Sequence, residues 1–484
     1  GLEKRREETG IKEDKKRVYL QRLNKELQII RKINYSSYFL VIWDFVDSAK
    51  GNNILIGPCR GIEGGSLVNY VLGITDLDPI KWGLFFECFL NPERISMPET
   101  QVYLCSERYE EVIKHVTNKY GQENISNIIN FFSLGAKRLI KKVSRVFNHP
   151  CSEVDKIAKL VPYGLEIRLK DIIKEEPKLK EFQAKSNKVR KLLDIAMTLE
   201  GLRSFPTIHS FGLVISPKPL TEFLPLYRGY KGEVATQFGK ENIEKLGFLT
   251  VDIFPQTILN VIDLTLREIK RIEGNEIDWH TIPLDDEKTF KLLYDAETLG
   301  IFQPLHDKML RLLQQMLPFS FEDIIALVAL FRPGPFNSGI VEEFINRKQG
   351  RVKIKNIAHQ LDWILKETYG VILYDEQVLQ IAHHIAGFPM RKADLFRRIL
   401  KRKNPDDLKS MLMRFIKGSI KNGISKKKAE KIFDMTEHYS EYTFSKSYAV
   451  GFASLVFQCA YLIANYPDIY KKALKEIKEK EDRD

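Results

Sequence analysis

The chain has 484 residues, a hydrophobic share of 44% and a formal net charge of +12. Such a length suggests several domains, the apolar share is enough for a large core, and the charge favours a polyanionic partner. Five cysteines (Cys59, Cys88, Cys105, Cys151, Cys459) lack CxxC or His-paired spacing, which argues against a zinc site or a disulfide framework and fits reduced thiols of a cytosolic protein. The opening residues GLEKRREETG have no apolar core, so no secretory signal is expected, and the missing initiator Met suggests a processed or excised piece.

Taken in chain order, residues 18–33 place apolar side chains at helical spacing among charges and predict an amphipathic helix. Residues 38–49 predict a second helix, more fully buried. The turn-rich Gly57-Pro58-Cys59-Arg60-Gly61 follows, then a short helix over 66–72. Residues 96–105 predict a strand, with Val102 and Leu104 on one face and Glu99, Gln101 and Tyr103 on the other. From about 133 to 201 the chain is mostly helical and basic, with Lys137, Arg138, Lys141, Lys142 and Arg145 in its first turns. Residues 212–217 and 248–254 return to strand-like apolar runs. Beyond Thr257 the remainder is helical, punctuated by Arg332-Pro333-Gly334-Pro335 and Asn404-Pro405. Residues 391–430 carry fourteen Lys/Arg against four Asp/Glu, which favours contact with nucleic acid. Residues 447–467 are uncharged and nearly long enough to span a bilayer, but Ser454, Gln458 and Asn465 and the scattered aromatics favour a buried helix of a large domain.

The glycines Gly57, Gly61, Gly64 and Gly65, followed by Ser66 and an apolar helix, suit phosphate binding: backbone N–H groups can approach an anion and a helix N-terminus adds positive potential. Arg60 can reach a phosphate with two N–H groups. The continuation is more specific. GPCRGIEGGSLVNY at 57–70, ITDLDP at 74–79 and FLNPERISMP at 89–98 are followed by TLGIFQ at 298–303, ALFRPGP at 329–335, TYGVILY at 368–374, ADLFRR at 393–398 and FSKSYA at 444–449. In order and spacing these resemble the polymerase core of family-C bacterial replicative DNA polymerases, the DNA polymerase III alpha-subunit type.

That resemblance implies an α+β, largely helical fold: a palm of the polymerase-beta nucleotidyltransferase type with a mixed sheet, an inserted helical thumb and large helical fingers. The implied division is palm at 1–132 with its N-terminal helix, thumb at 133–207, palm again at 208–257 and fingers at 258–484. The family's flanking metal-binding, clamp-binding and oligonucleotide-binding domains are not seen in this sequence. QLDWI at 360–364 superficially looks like a clamp-binding peptide but falls on an amphipathic helix inside the fingers pattern. The implied activity is template-directed nucleotidyl transfer with two Mg²⁺ ions. The implied partners are primer–template DNA, deoxynucleoside triphosphates and replisome proteins, in a bacterial cytoplasm at the nucleoid and without a membrane.

In such chemistry the ions activate the primer 3′ oxygen and steady the leaving pyrophosphate, and hard Mg²⁺ takes anionic oxygen ligands. The family supplies alternating aspartates on one palm strand and another on a neighbouring strand. Here MPETQVYLC at 97–105 holds Gln101 and Tyr103 at the first two positions, while LTVDIF at 249–254 keeps the third as Asp252. Gln101 offers a neutral amide oxygen, and a phenol such as Tyr103 is ordinarily neutral at pH 7. Losing two anionic ligands costs about three orders of magnitude in rate or more. Ile62, Thr250, Tyr448 and residues 204–212 around a retained His209 depart from the family pattern too. The implied triphosphate contacts are Gly57, Arg60, Gly61, Gly65 and Ser66, with Arg397, Arg398, Lys401 and Lys403 from the fingers. DNA contacts are expected at Lys137, Lys141, Arg145, Arg332 and Lys446. The expectation is a core that binds primer–template DNA but is catalytically impaired. The alternatives are an active polymerase with an altered Glu99–Asp252 metal site, or a non-catalytic scaffold of replication.

Overall fold

The computed structural model describes residues 1–58, 61–93, 97–161, 168–230, 232–296 and 306–482. Arg60 and the motif at 298–303 therefore lie outside the described residues, as do Arg94, Ile95 and Ser96 of the motif at 89–98. Two compact units emerge: Gly1–Gly121 with Val251–Asp484, and Gln122–Thr250.

In the first unit the predicted amphipathic helix runs over Lys16–Lys32, burying Tyr19, Glu26 and Ile30 at helical spacing, and its more buried successor over Ser36–Gly51. Strand β1, Gln101–Cys105, is shorter than the predicted 96–105, so Glu99 precedes the ladder instead of standing on it. Pro98 explains part of that difference, since proline has no N–H to give a ladder. β1 pairs in parallel with strand β6, Leu249–Gln256, in the register Gln101↔Asp252 and Tyr103↔Phe254. Beyond β6 the described chain forms helices, as expected for the remainder after Thr257. Phe396, Phe415 and Phe433, all nearly inaccessible, pack together, with the Phe396 and Phe415 rings stacked at 5.4 Å.

Helix Lys446–Asn465 is the one described helix long and apolar enough to cross a membrane, and 72% of its most apolar window is buried inside the protein. Its Phe457 meets Phe321 edge-on at 5.8 Å, and Gln458 Nε2 donates to the Trp279 carbonyl at 2.9 Å. Its first turn is capped by Glu376, which accepts from the Lys446 and Ser447 amides at 2.8 and 3.3 Å. Burial, then the neighbouring Asp375 charge, pushes the Glu376 carboxyl up to about 7. A carboxyl raised above its unfolded value stabilises most when protonated, so this contribution is present at low pH and fades as pH rises from about 4.5 through about 7. Urea melts of Glu376→Gln are expected to lack that loss, which amounts to about 3 kcal/mol in the parent.

The second unit contains β2 (Ile125–Ser133), β3 (Arg203–Ile215), β4 (Leu226–Arg228) and β5 (Val234–Thr236) in the order β3-β2-β5-β4. β2 is antiparallel to β3 and parallel to β5, so the sheet is mixed. The strand predicted at 212–217 is only the buried end of β3. Helices Ala136–Val146, Cys151–Leu160, Leu169–Glu175, Pro177–Lys185 and Asn187–Leu199 enclose a separate core around Leu139, Ile140, Ile157 and Leu192.

Candidate functional site

The parallel pairing of β1 with β6 puts Gln101 directly beside Asp252 and Tyr103 beside Phe254, on one face of the ladder. Asp252 is buried, 7% exposed. The Tyr103 hydroxyl donates to Gln101 Oε1, and the Tyr103 ring stacks on Phe254 with centroids 5.2 Å apart and planes within 19°. The amide oxygen that would be Gln101's only ligand atom is therefore already an acceptor, and an aromatic stack fills the next position. Among the described residues no three His, Cys, Asp or Glu side chains gather where they would hold an ion. Glu99 is exposed and lies ahead of the strand. This donor set does not fit a two-ion centre.

Next to it runs the glycine loop. The Gly57 amide donates to the Tyr103 carbonyl at 2.8 Å, fixing the loop's start along β1. Gly65 approaches another backbone: a Cβ there would stand 2.6 Å from the Phe85 carbonyl oxygen, so no larger residue fits without a shift. Gly57, Gly61, Gly65 and Ser66 are all buried. Ser66 caps helix Leu67–Leu72, accepting from the Asn69 amide at 3.3 Å while donating to buried Glu26 at 3.0 Å. Arg22 reaches the Gly65 carbonyl at 2.8 Å, and the Ser447 hydroxyl reaches that of Gly61 at 2.6 Å. The described residues of the predicted phosphate loop are thus well tied by hydrogen bonds.

Inside it stands a residue that the sequence reading missed. Glu63 is 1% exposed, and its carboxylate folds back over Gly61, where an added Cβ would meet Oε2 at 2.1 Å. Burial raises the Tyr38 phenol far above its ordinary range, and the Glu63 and Asp252 charges add to that rise. An acid between the glycines of the loop was the available signal. Charge removal by Glu63→Gln is expected to tighten binding of a deoxynucleoside triphosphate about tenfold by calorimetry.

The fingers cations expected to face nucleotide are largely engaged internally. Arg397 pairs with Asp375 at 2.9 Å and with Asp394 at 2.6 Å; Lys401 pairs with Asp375 at 2.6 Å, and Arg398 with Asp394 at 3.4 Å. Asn91, from the motif at 89–98, donates to Asp394 at 3.2 Å and to the Arg391 carbonyl at 2.9 Å, locking helix Met390–Arg402 to that motif. Lys403 is exposed and bonded to Glu441 at 2.7 Å. Arg332 donates to the Ala329 carbonyl at 2.9 Å and to that of Tyr442, and sits 4.5 Å over the Phe444 ring; burial lowers its pKa. Lys446 is buried against Glu367 at 2.7 Å.

In the second unit, helix Ala136–Val146 buries Ala136, Leu139, Ile140 and Val143 and turns its cations the other way. Lys141 makes an exposed pair with Asp155 at 3.1 Å, Arg145 is exposed and Lys137 half-buried.

Residues 1–255 match the family model described as the bacterial DNA polymerase III alpha NTPase domain, and residues 258–423 match that of the bacterial DNA polymerase III alpha subunit finger domain. The chain is 39% identical to the DNA polymerase III subunit alpha of Aquifex aeolicus over 96% of its own length and 42% of the relative's. It is 42% identical to that of Buchnera aphidicola subsp. Schizaphis graminum over 96% of its own length and 41% of the relative's. For Escherichia coli K12 the identity is 41%, over 94% of this chain and 40% of the relative. The chain thus spans about two fifths of the length of these curated relatives.

Proposed function

The chain belongs to the bacterial DNA polymerase III alpha family, and on that premise we propose that it is a replicative polymerase core that binds primer–template DNA but carries out nucleotidyl transfer poorly or not at all. It is divided as palm (1–132 and 208–257), thumb (133–207) and fingers (258–484). The observation that carries this reading is the Tyr103–Gln101 hydrogen bond beside Asp252, with Tyr103 stacked on Phe254. Neutral groups there neither attract Mg²⁺ nor leave its oxygen sites open. Asp252 alone cannot balance the charge of two divalent ions and a triphosphate.

DNA contact falls to the cations of helix Ala136–Val146, foremost exposed Lys141 and Arg145 with half-buried Lys137. Arg397 and Lys401 act as a structural clamp through Asp375 and Asp394, and Arg398 and Lys403 are the fingers cations with more freedom to meet phosphate. Fluorescence anisotropy with a primer–template duplex is expected to show binding at low salt that weakens linearly on a log–log salt plot. Lys141→Ala with Arg145→Ala is expected to make that slope shallower by about two. Absence of binding at low salt contradicts the proposal.

A further inference from the structure

The β2–β3 ribbon ends in a register shift. Phe131 pairs with Pro206 and Ser133 with Arg203, so two residues, Ser204 and Phe205, stand opposite Phe132 alone. A bulge of this kind re-aims side chains out of the pleat. Here it presents two phenyl rings to solvent: Phe132 is 45% and Phe205 47% exposed, with centroids 5.9 Å apart and planes tilted 41°.

Cations border this aromatic pair. Lys142 Nζ lies 5.9 Å from the Phe205 ring centre, and the Arg203 guanidinium 4.9 Å from that of Phe131. Lys142 belongs to helix Ala136–Val146, whose sequence AKRLIKKVSRV holds five cations and no acid. Exposed apolar rings set among fixed positive charges match one polyanion well: a nucleic-acid strand whose bases are unpaired, because only unpaired or terminal bases offer an open π-face while the phosphates follow the cations. A paired duplex interior offers phosphates alone, and an apolar protein face offers no charge to answer this helix.

We propose that the bulged end of the β2–β3 ribbon is a stacking site for unpaired bases of single-stranded DNA. Phe132 and Phe205 receive the bases, and Lys142, Arg145 and Arg203 hold the flanking phosphates. The site is built within one compact unit and uses none of Gln101, Tyr103 and Asp252.

The test measures the full chain binding a short oligothymidylate and, separately, a blunt duplex of equal length, each across a salt series. The double variant Phe132→Ala/Phe205→Ala is expected to lose tenfold or more in affinity for oligothymidylate while its salt slope and its duplex binding stay at the parent's values. Lys142→Ala with Arg145→Ala is expected to make the single-strand slope shallower by about 1.4. Phe205→Trp, which keeps a π-face, is expected to retain single-strand binding and guards against misfolding of the alanine variant. Any of three results overturns the site: no oligothymidylate binding by the parent at low salt, unchanged binding by the double alanine variant, or an equal loss on the duplex. The duplex arm reports separately on the primer–template proposal.

Discussion

Gln101→Asp combined with Tyr103→Asp is expected to raise Mg²⁺-dependent addition of one nucleotide by about three orders of magnitude or more. The register Gln101↔Asp252 sets the first new carboxylate beside the retained one, and strand alternation sets the second two residues along on the same face. The exchange also removes the hydroxyl that occupies Gln101 Oε1 and the ring stacked on Phe254. Neither single exchange accomplishes both, so each alone is expected to give a small part of the gain. Loss of the buried Tyr103 ring carries a stability cost of about 3 kcal/mol or more, so the variant's thermal melt must be recorded beside its rate. A folded, DNA-binding double variant that extends no faster than the parent would place the defect elsewhere, with Glu63 the first residue to exchange.

Arg397→Ala is expected to lower stability by about 3–5 kcal/mol at neutral pH. Asp394 is fully inaccessible and Asp375 nearly so, and the guanidinium between them satisfies both. Burial alone would raise the Asp375 carboxyl, but the Arg397 and Lys401 charges outweigh it and hold the pKa below its ordinary value. Burial likewise pulls Arg397 down, and the charges of Asp375 and Asp394 more than reverse it. A depressed carboxyl stabilises the fold above its unfolded pKa and loses that contribution as pH falls through the folded one. The gap between parent and variant is therefore expected to be full at pH 7 and to narrow below about pH 4, where protonation relieves the orphaned carboxylates. A loss under about 0.5 kcal/mol, the usual scale of a surface change, would mean that Arg397 is a free DNA- or nucleotide-facing cation after all.

Much of this site could be read from residues close in sequence. Gln101 and Tyr103 are two apart on a strand, so their shared face followed from alternation; the apolar run holding Asp252 marked a strand, and only the family resemblance implied that it lies beside the first. The helical character of the chain beyond Thr257 was legible as well. β2 was not: its apolar residues come as the doublets Ile128-Ile129 and Phe131-Phe132, which break alternation, and its pairing with β3 depends on residues some eighty positions away. β4 and β5, at three residues each, are too short to leave a pattern. The fate of the fingers cations was illegible for a related reason. A basic run reads the same whether its charges face solvent or acids on another helix, and Asp375 lies 22 positions from Arg397. Glu63 was in plain view, but glycine-rich composition outweighed the one acid that changes the loop's polarity.

The most direct test of the central claim is single-turnover extension of a bound primer–template by one nucleotide in Mg²⁺, comparing the parent chain with Asp252→Ala. The account predicts that the parent binds the duplex and extends at a rate near background, little changed by the substitution. Robust Mg²⁺-dependent extension by the parent, abolished in Asp252→Ala, would contradict it and show that Asp252 anchors a working metal site despite Gln101 and Tyr103.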